Sequence, residues 1–161
     1  MEKIRTCKFS KPPHVRAAHA SATVRDNQVL YYGGSIGNGQ YANDELWFLD
    51  IKNQEEVNWM LVPIDGQTPG PRYSHSMVYI MPNLILFGGS SNSGQNRRNV
   101  IMKDVWIFPT DKTPFNWVRL ETESNSLLTA RVIILLVFIK KSTETRKLWF
   151  FSEEEIRKMF L

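Results

Sequence analysis

The chain holds little from which a catalytic or metal centre could be built. Of its 161 residues one is cysteine, Cys7, and three are histidine, His14, His19 and His75. A lone cysteine excludes an intrachain disulfide and a cysteine-based zinc site, and it fits a reducing compartment. Long apolar runs are also missing. The longest, Val132 to Ile139, falls far short of the roughly 20 residues that a membrane-spanning helix needs. The first residues, MEKIRTCKFSKPPH, are charged and lack the apolar centre of a secretory signal. Charge of one sign is scarce as well: the net is +4, and half of it falls after Arg131. That is too weak and too dispersed for the basic stripe that binds nucleic acid. The expectation is a soluble protein of the cytoplasm or nucleus with no cofactor, no nucleic-acid partner and no membrane partner.

What is present is a globular composition, 42% hydrophobic and 12% aromatic, and a repeat. Five fixed points recur by residue type: Arg16 with Arg72, His19 with His75, Gly33-Gly34 with Gly88-Gly89, Trp47 with Trp106, and Trp59 with Trp117. The spacings are 56, 56, 55, 59 and 58 residues. A drift that small places insertions between fixed points, as when one supersecondary unit is used twice with variable connections.

Each copy reads as four short strands. In the first, Ala18 to Val24 and Val29 to Tyr32 flank Arg25-Asp26-Asn27-Gln28, whose Asp and Asn suit a tight turn. A glycine doublet, a loop (SIGNGQYAND), a third strand from Glu45 to Asp50 and a fourth from Trp59 to Pro63 follow. The second copy gives Ser74 to Ile80, Leu84 to Phe87, the loop SSNSGQNRRNVIMK, Asp104 to Phe108, and Asn116 to Leu120. Local connections of this kind make an antiparallel meander.

The fixed points have physical roles. A glycine pair at a strand end allows torsion angles closed to other residues and close approach by a neighbouring group. The tryptophans are the expected occupants of that space. Trp47 and Trp106 sit in LWFL and VWIF, segments apolar on both faces, as in a strand covered on two sides. Sheets like these must stack, and radial stacking is the propeller solution.

The segments PHVRAAHASATV, NQVLYYGG, DELWFLDI, PGPRYSHSMVY, PNLILFGG and KDVWIFP resemble the kelch repeat, and in texture they are similar to the kelch region of the kelch-containing serine/threonine phosphatases related to protein phosphatase 1. The resemblance spans residues 12 to 131. It implies an all-β fold, a partial kelch β-propeller of about two four-stranded antiparallel blades plus the remnant of a third. The expected organisation is a lead-in over 1–15, blade 1 over 16–68, blade 2 over 69–128, and over 129–161 the start of a third repeat that runs into an atypical tail. In the phosphatase family the propeller precedes a two-metal catalytic domain, which needs clustered Asp, His and Asn in defined contexts. None of those contexts occurs here, so the chain itself is expected not to be an enzyme.

The tail has two readings. One is a native end, a buried strand followed by a helix with Ser152 and Glu155 in capping-box spacing. The other is a reading-frame shift. Val-Ile-Ile-Leu-Leu after Arg131 can be encoded GTA-ATC-ATT-CTG-CTN, and one added T after GTA gives Val-Tyr-His-Ser-Ala, restoring the His three residues past the Arg. In either case two blades and a stub do not close a propeller, so exposed blade faces and self-association are expected.

Function is expected from binding rather than catalysis. His19 and His75 recur with the repeat, which marks architecture more than acid-base chemistry. The same holds for Arg16, Arg72, Gly33, Gly34, Gly88, Gly89, Trp47, Trp59, Trp106 and Trp117. The glycines are not followed by the helix that a phosphate cradle requires. Recognition is expected in the variable segments Ser35 to Asp44 and Ser90 to Lys103, where Arg97 and Arg98 supply positive charge for an acidic or phosphorylated protein partner. The reading is a protein-interaction module, the regulatory or substrate-positioning part of a kelch-type phosphatase, with a non-enzymatic scaffold or adaptor as the alternative.

Overall fold

The computed structural model describes residues 11–37, 40, 41, 43–51, 57–92 and 99–120. All of them fall in one compact unit, Met1–Leu120. Arg97, Arg98, Arg131 and the whole segment expected to begin a third repeat lie outside the described residues.

Among the described residues ten strands form: β1 (Ala20–Arg25), β2 (Gln28–Tyr32), β3 (Ser35–Gly37), β4 (Gln40–Tyr41), β5 (Leu46–Ile51), β6 (Val57–Leu61), β7 (Ser76–Ile80), β8 (Asn83–Asn92), β9 (Asn99–Pro109) and β10 (Val118–Leu120). They make two four-stranded antiparallel sheets, β1-β2-β5-β6 and β7-β8-β9-β10, each in simple sequence order, and a two-stranded ribbon β3-β4. The turns are those that the residues dictate. Asp26-Asn27 joins β1 to β2, and Met81-Pro82, with a cis peptide bond, joins β7 to β8.

The segments after the glycine doublets, expected as loops, are partly strand. In the first copy they form the β3-β4 ribbon, and in the second β8 runs on through the doublet to Asn92 and pairs with β9 from Asn99. The doublet acts as an irregularity within the ladder, since the register shifts between Phe87 and Gly89. Glycine tolerates the local bend without ending the pairing.

Strand alternation gives each sheet two different apolar faces. In the first sheet Leu30 opposes Phe48, which opposes Met60, and Tyr32 opposes Leu46. These residues form a front face with Ala22. Tyr31, Trp47 and Leu61, with Val29, Leu49 and Trp59, form the rear face. In the second sheet the front set is Ile85, Ile107 and Val118, and the rear set is Tyr79, Leu84, Leu86, Trp106 and Phe108.

The main core joins the front of the first sheet to the rear of the second. Ala22, Leu30, Tyr32, Leu46, Phe48, Met60 and Val62 pack with Tyr79, Leu84, Leu86, Trp106, Phe108, Phe115 and Trp117. Burying each large apolar side chain contributes about 1.5–3 kcal/mol, so this junction is the main source of cohesion between the sheets. Sequence-equivalent sheets therefore stack in the same sense, front to rear. Hydrogen bonds close the seam. The Gly34 amide donates to the Arg72 carbonyl at 2.8 Å, the Ser74 amide to Ala18 at 2.8 Å, the Asp65 amide to Phe115 at 2.7 Å, and the Tyr32 hydroxyl to Gly70 at 3.1 Å.

Candidate functional site

The densest polar arrangement lies at this seam and centres on Arg72, whose side chain is fully buried. Its Nη1 donates to Asp104 Oδ1 at 2.8 Å and to the Gly88 carbonyl at 2.9 Å. Its Nη2 donates to Asp104 Oδ2 at 3.0 Å and to the Pro69 carbonyl, and Nε faces the Gly70 carbonyl at 3.5 Å. The fork-to-fork match of guanidinium and carboxylate suits arginine and not lysine. Asp104 also accepts from Trp106 Nε1 at 2.6 Å. Burial alone would raise the Asp104 pKa, but the hydrogen bonds from Arg72 and Trp106 outweigh it and hold the carboxyl below its ordinary value. All the donor capacity of Arg72 is spent inside the protein, so it fastens the segment that leads into β7 to β8 and β9 and is not aimed at a ligand.

The two glycines of the first doublet do different things. Gly33 (φ 65°) accommodates the second sheet: a Cβ there would strike the Arg72 carbonyl oxygen and stand 2.7 Å from His75 Cε1. Gly34 (φ 106°) accommodates its own sheet, where a Cβ would lie 2.9 Å from the Ala17 carbonyl and 3.1 Å from His19 Cβ. The close neighbours are thus a peptide group and a histidine, not the tryptophans expected from the sequence. Ala18 and Ser74, each one residue before the repeat's histidine, share φ 54°, a left-handed setting rare outside glycine.

His75 is buried against this seam, with its ring edge-on to Tyr32 at 5.7 Å between centroids. Neither ring nitrogen finds a hydrogen-bond partner among the described residues. Burial first, and the Arg72 charge second, push its pKa down to about 4. It is a neutral packing ring at ordinary pH, without the acceptor that an acid-base residue would use.

The first copy repeats the parts without the closure. Arg16 Nη1 donates to the Gly33 carbonyl at 3.2 Å, as Arg72 does to Gly88, and Nε donates to the His14 carbonyl at 3.0 Å. Glu45 accepts from Trp47 Nε1 at 3.2 Å, as Asp104 does from Trp106. Among the described residues, however, no ion pair joins Arg16 to Glu45. Arg16 is half-buried and lies over the Tyr31 ring at 5.7 Å, while His19 stacks on the same ring at 4.2 Å.

The tryptophans divide the same way. Trp117 and Trp106 are in the core between the sheets, Trp117 against Tyr32 and Phe108. Trp47 is buried, and Trp59 is half-buried against Trp47 and Tyr31 on the rear of the first sheet. Asp104 and Glu45 are the participants that the sequence reading passed over. Their signal was an acid two residues before each tryptophan, in DELWFL and KDVWIF. Among the described residues no cluster of three His, Cys, Asp or Glu side chains could hold a metal ion, and no helix is long and apolar enough to cross a membrane.

Residues 3–143 match the family described as the KLHDC2/KLHL20/DRC7 Kelch-repeats domain. The chain is 35% identical over 115 residues, 71% of its length, to the serine/threonine-protein phosphatase BSL2 of Arabidopsis thaliana. It is 30% identical over 107 residues, 63% of its length, to an F-box/kelch-repeat protein of the same plant. It spans only 10% and 21% of those two proteins. Among solved structures, the one titled "Structure of YjhT" aligns over 74% of this chain and 30% of its own, with a TM-score of 0.51 and 20% identity, a likeness of fold.

Proposed function

This chain belongs to the kelch-repeat family, whose domains bind proteins, and from that premise we propose that it positions substrates for a serine/threonine phosphatase. The observation that carries the reading is the 35% identity to a phosphatase over 115 residues, a stretch long enough to include both sheets. The match takes in only a tenth of that phosphatase, so the reaction itself belongs to a catalytic domain outside this chain. Recognition is assigned to the segments between the repeat's fixed points, with Arg97 and Arg98 supplying charge-assisted hydrogen bonds to phosphorylated or acidic protein segments. The setting is cytoplasmic or nuclear.

The test fuses the chain ahead of a catalytic domain of the protein phosphatase 1 type and follows dephosphorylation of phosphoserine proteins. Positioning predicts a lower KM on a subset of substrates, lost when Arg97 and Arg98 are both replaced by Glu. Unchanged KM values across all substrates would overturn it. A non-enzymatic adaptor is the second reading, favoured by the 30% identity to the F-box/kelch-repeat protein. It predicts protein capture by the chain with no effect on phosphatase kinetics.

A further inference from the structure

Lys11 to Arg16 forms no strand, yet its burial is ordered. Pro13 and Arg16 are half-buried, while Lys11, Pro12, His14 and Val15 are exposed. A chain that turns inward at every third residue follows the polyproline II helix, which has three residues per turn. The sequence dictates that conformation. Pro12 and Pro13 fix their own φ, and each drives the residue before it out of the α region into extended backbone. The second copy keeps the period, with Pro69 and Arg72 buried and Gln67 and Pro71 exposed. Pro71 holds the register place of Val15, and it stays exposed although the Gly34 amide of the first sheet bonds the very next residue, Arg72. The outward setting of this position therefore belongs to the repeat.

We propose that Lys11 to Val15 is a displayed polyproline-type ligand, taken by a partner protein whose groove is lined with aromatic rings and rimmed with acidic side chains, as in SH3 domains. Two ridges meet such a groove. Pro12 and Val15, three residues apart, form the apolar ridge, and Val15 is 95% exposed, more than any other large apolar residue described. Lys11 and His14 form the second ridge, and the Lys11 charge selects the acidic rim. The five residues span about 15 Å and carry no internal backbone bonds, so their carbonyls are open to donors on the partner. The far end is fastened. Arg16 Nε donates to the His14 carbonyl at 3.0 Å and its Nη1 to the Gly33 carbonyl at 3.2 Å, while Ala17 and Ser35 exchange amide-to-carbonyl bonds of 2.8 Å. A segment stiffened by proline and tied at one end loses little entropy on binding. The second copy has spent its ridge: Thr68, in the place of Pro12, donates to Asp44 at 2.6 Å, and the Pro71 carbonyl accepts from Ser91 at 2.7 Å. The contact uses neither Arg97 nor Arg98 and is independent of substrate positioning for a phosphatase.

The experiment titrates the full chain into a panel of purified, isotope-labelled SH3 domains and follows their amide resonances. Binding is expected to shift the amides of the aromatic groove and its acidic rim in part of the panel. Pro12→Ala and Val15→Asp should each weaken it by about tenfold or more. Lys11→Glu should weaken it and remove its salt dependence. Pro71→Asp, the matching change in the second copy, should leave the affinity unchanged, as should the joint replacement of Arg97 and Arg98 by Glu. Circular dichroism reports that each variant keeps its fold, which the exposure of Lys11, Pro12 and Val15 favours. An unaltered chain that leaves every groove in the panel unshifted overturns the proposal. So does binding that survives Pro12→Ala and Val15→Asp, or that falls equally with Pro71→Asp, since the contact would then lie elsewhere on the chain.

Discussion

Arg72 and Arg16 hold the same place in two copies of one repeat, yet they live in different surroundings. Arg72 is fully buried in a two-pronged carboxylate pair, while Arg16 is half-buried over a tyrosine ring. Both bond the carbonyl of the first doublet glycine. The difference is that Arg72 has the first sheet beside it, whose Gly34 amide and Gly33 backbone close over its main chain. The acid differs too: Asp104 reaches both its arginine and its tryptophan, whereas Glu45 meets only the tryptophan. A repeat supplies the parts of a clamp in each copy, and stacking on the preceding copy is what buries and completes it.

The largest expected effect tests this contrast directly. Arg72→Ala leaves Asp104 buried without its cation and should cost about 3–5 kcal/mol, a large share of a typical domain's stability. Arg16→Ala should cost about 1 kcal/mol or less, as for other partly exposed charges. Urea denaturation of both variants checks the pair, and equal losses would break the comparison.

The second effect is pH dependence through His75. Its folded pKa of about 4 lies below the ordinary 6.5, so below pH 6.5 the unfolded chain binds a proton that the folded chain refuses. Stability is whole above that value and falls as pH drops toward 4. By linkage the total loss is about 3 kcal/mol. The Asp104 contribution disappears only at still lower pH, below its ordinary 3.8. His75→Phe should flatten the profile between pH 6.5 and 4, while His19→Phe should flatten it less, because partial burial lowers the His19 pKa in the same direction but the ring is largely exposed.

A third comparison sets Gly33→Ala against Gly88→Ala. Both place a Cβ in left-handed backbone, at about 1–2 kcal/mol. The first also drives that Cβ into the Arg72 carbonyl and should cost about 1–3 kcal/mol more, as overpacking does. Denaturation midpoints measure the gap, and its absence would mean that the seam yields without strain. The smallest expected difference is between Trp117→Phe and Trp59→Phe. Trp117 fills the core but its Nε1 has no partner among the described residues, so its loss is one of volume alone, about 1 kcal/mol. Trp59→Phe should cost less.

Much of this was legible in the sequence, for reasons that are local. Tyr31-Tyr32-Gly33-Gly34 and Leu86-Phe87-Gly88-Gly89 show where a strand meets a doublet, and the alternating apolar residues of LWFL and VWIF mark strands covered on both sides. The β3-β4 ribbon was hidden because Ser35 to Asp44 is rich in Gly, Asn and polar residues, which signal loops whether or not their backbones pair. The Arg72–Asp104 pair was hidden because its partners are 32 residues apart, and no local pattern says which acid will face a buried cation. The occupants of the glycine space were misjudged for the same reason. They are a carbonyl and a ring brought in by the next sheet, and they become visible only once the sheets are stacked.

The claim beneath all of these contrasts is that the two sheets form one structure through their seam. Native-state hydrogen exchange of the Gly34 and Ser74 amides, which donate across it, measures this most directly. The seam predicts that both amides open with the same free energy as ladder amides such as those of Leu30 and Leu86, so that exchange there requires unfolding of both sheets together. Seam amides that exchange freely while the ladder amides of each sheet stay protected would contradict it.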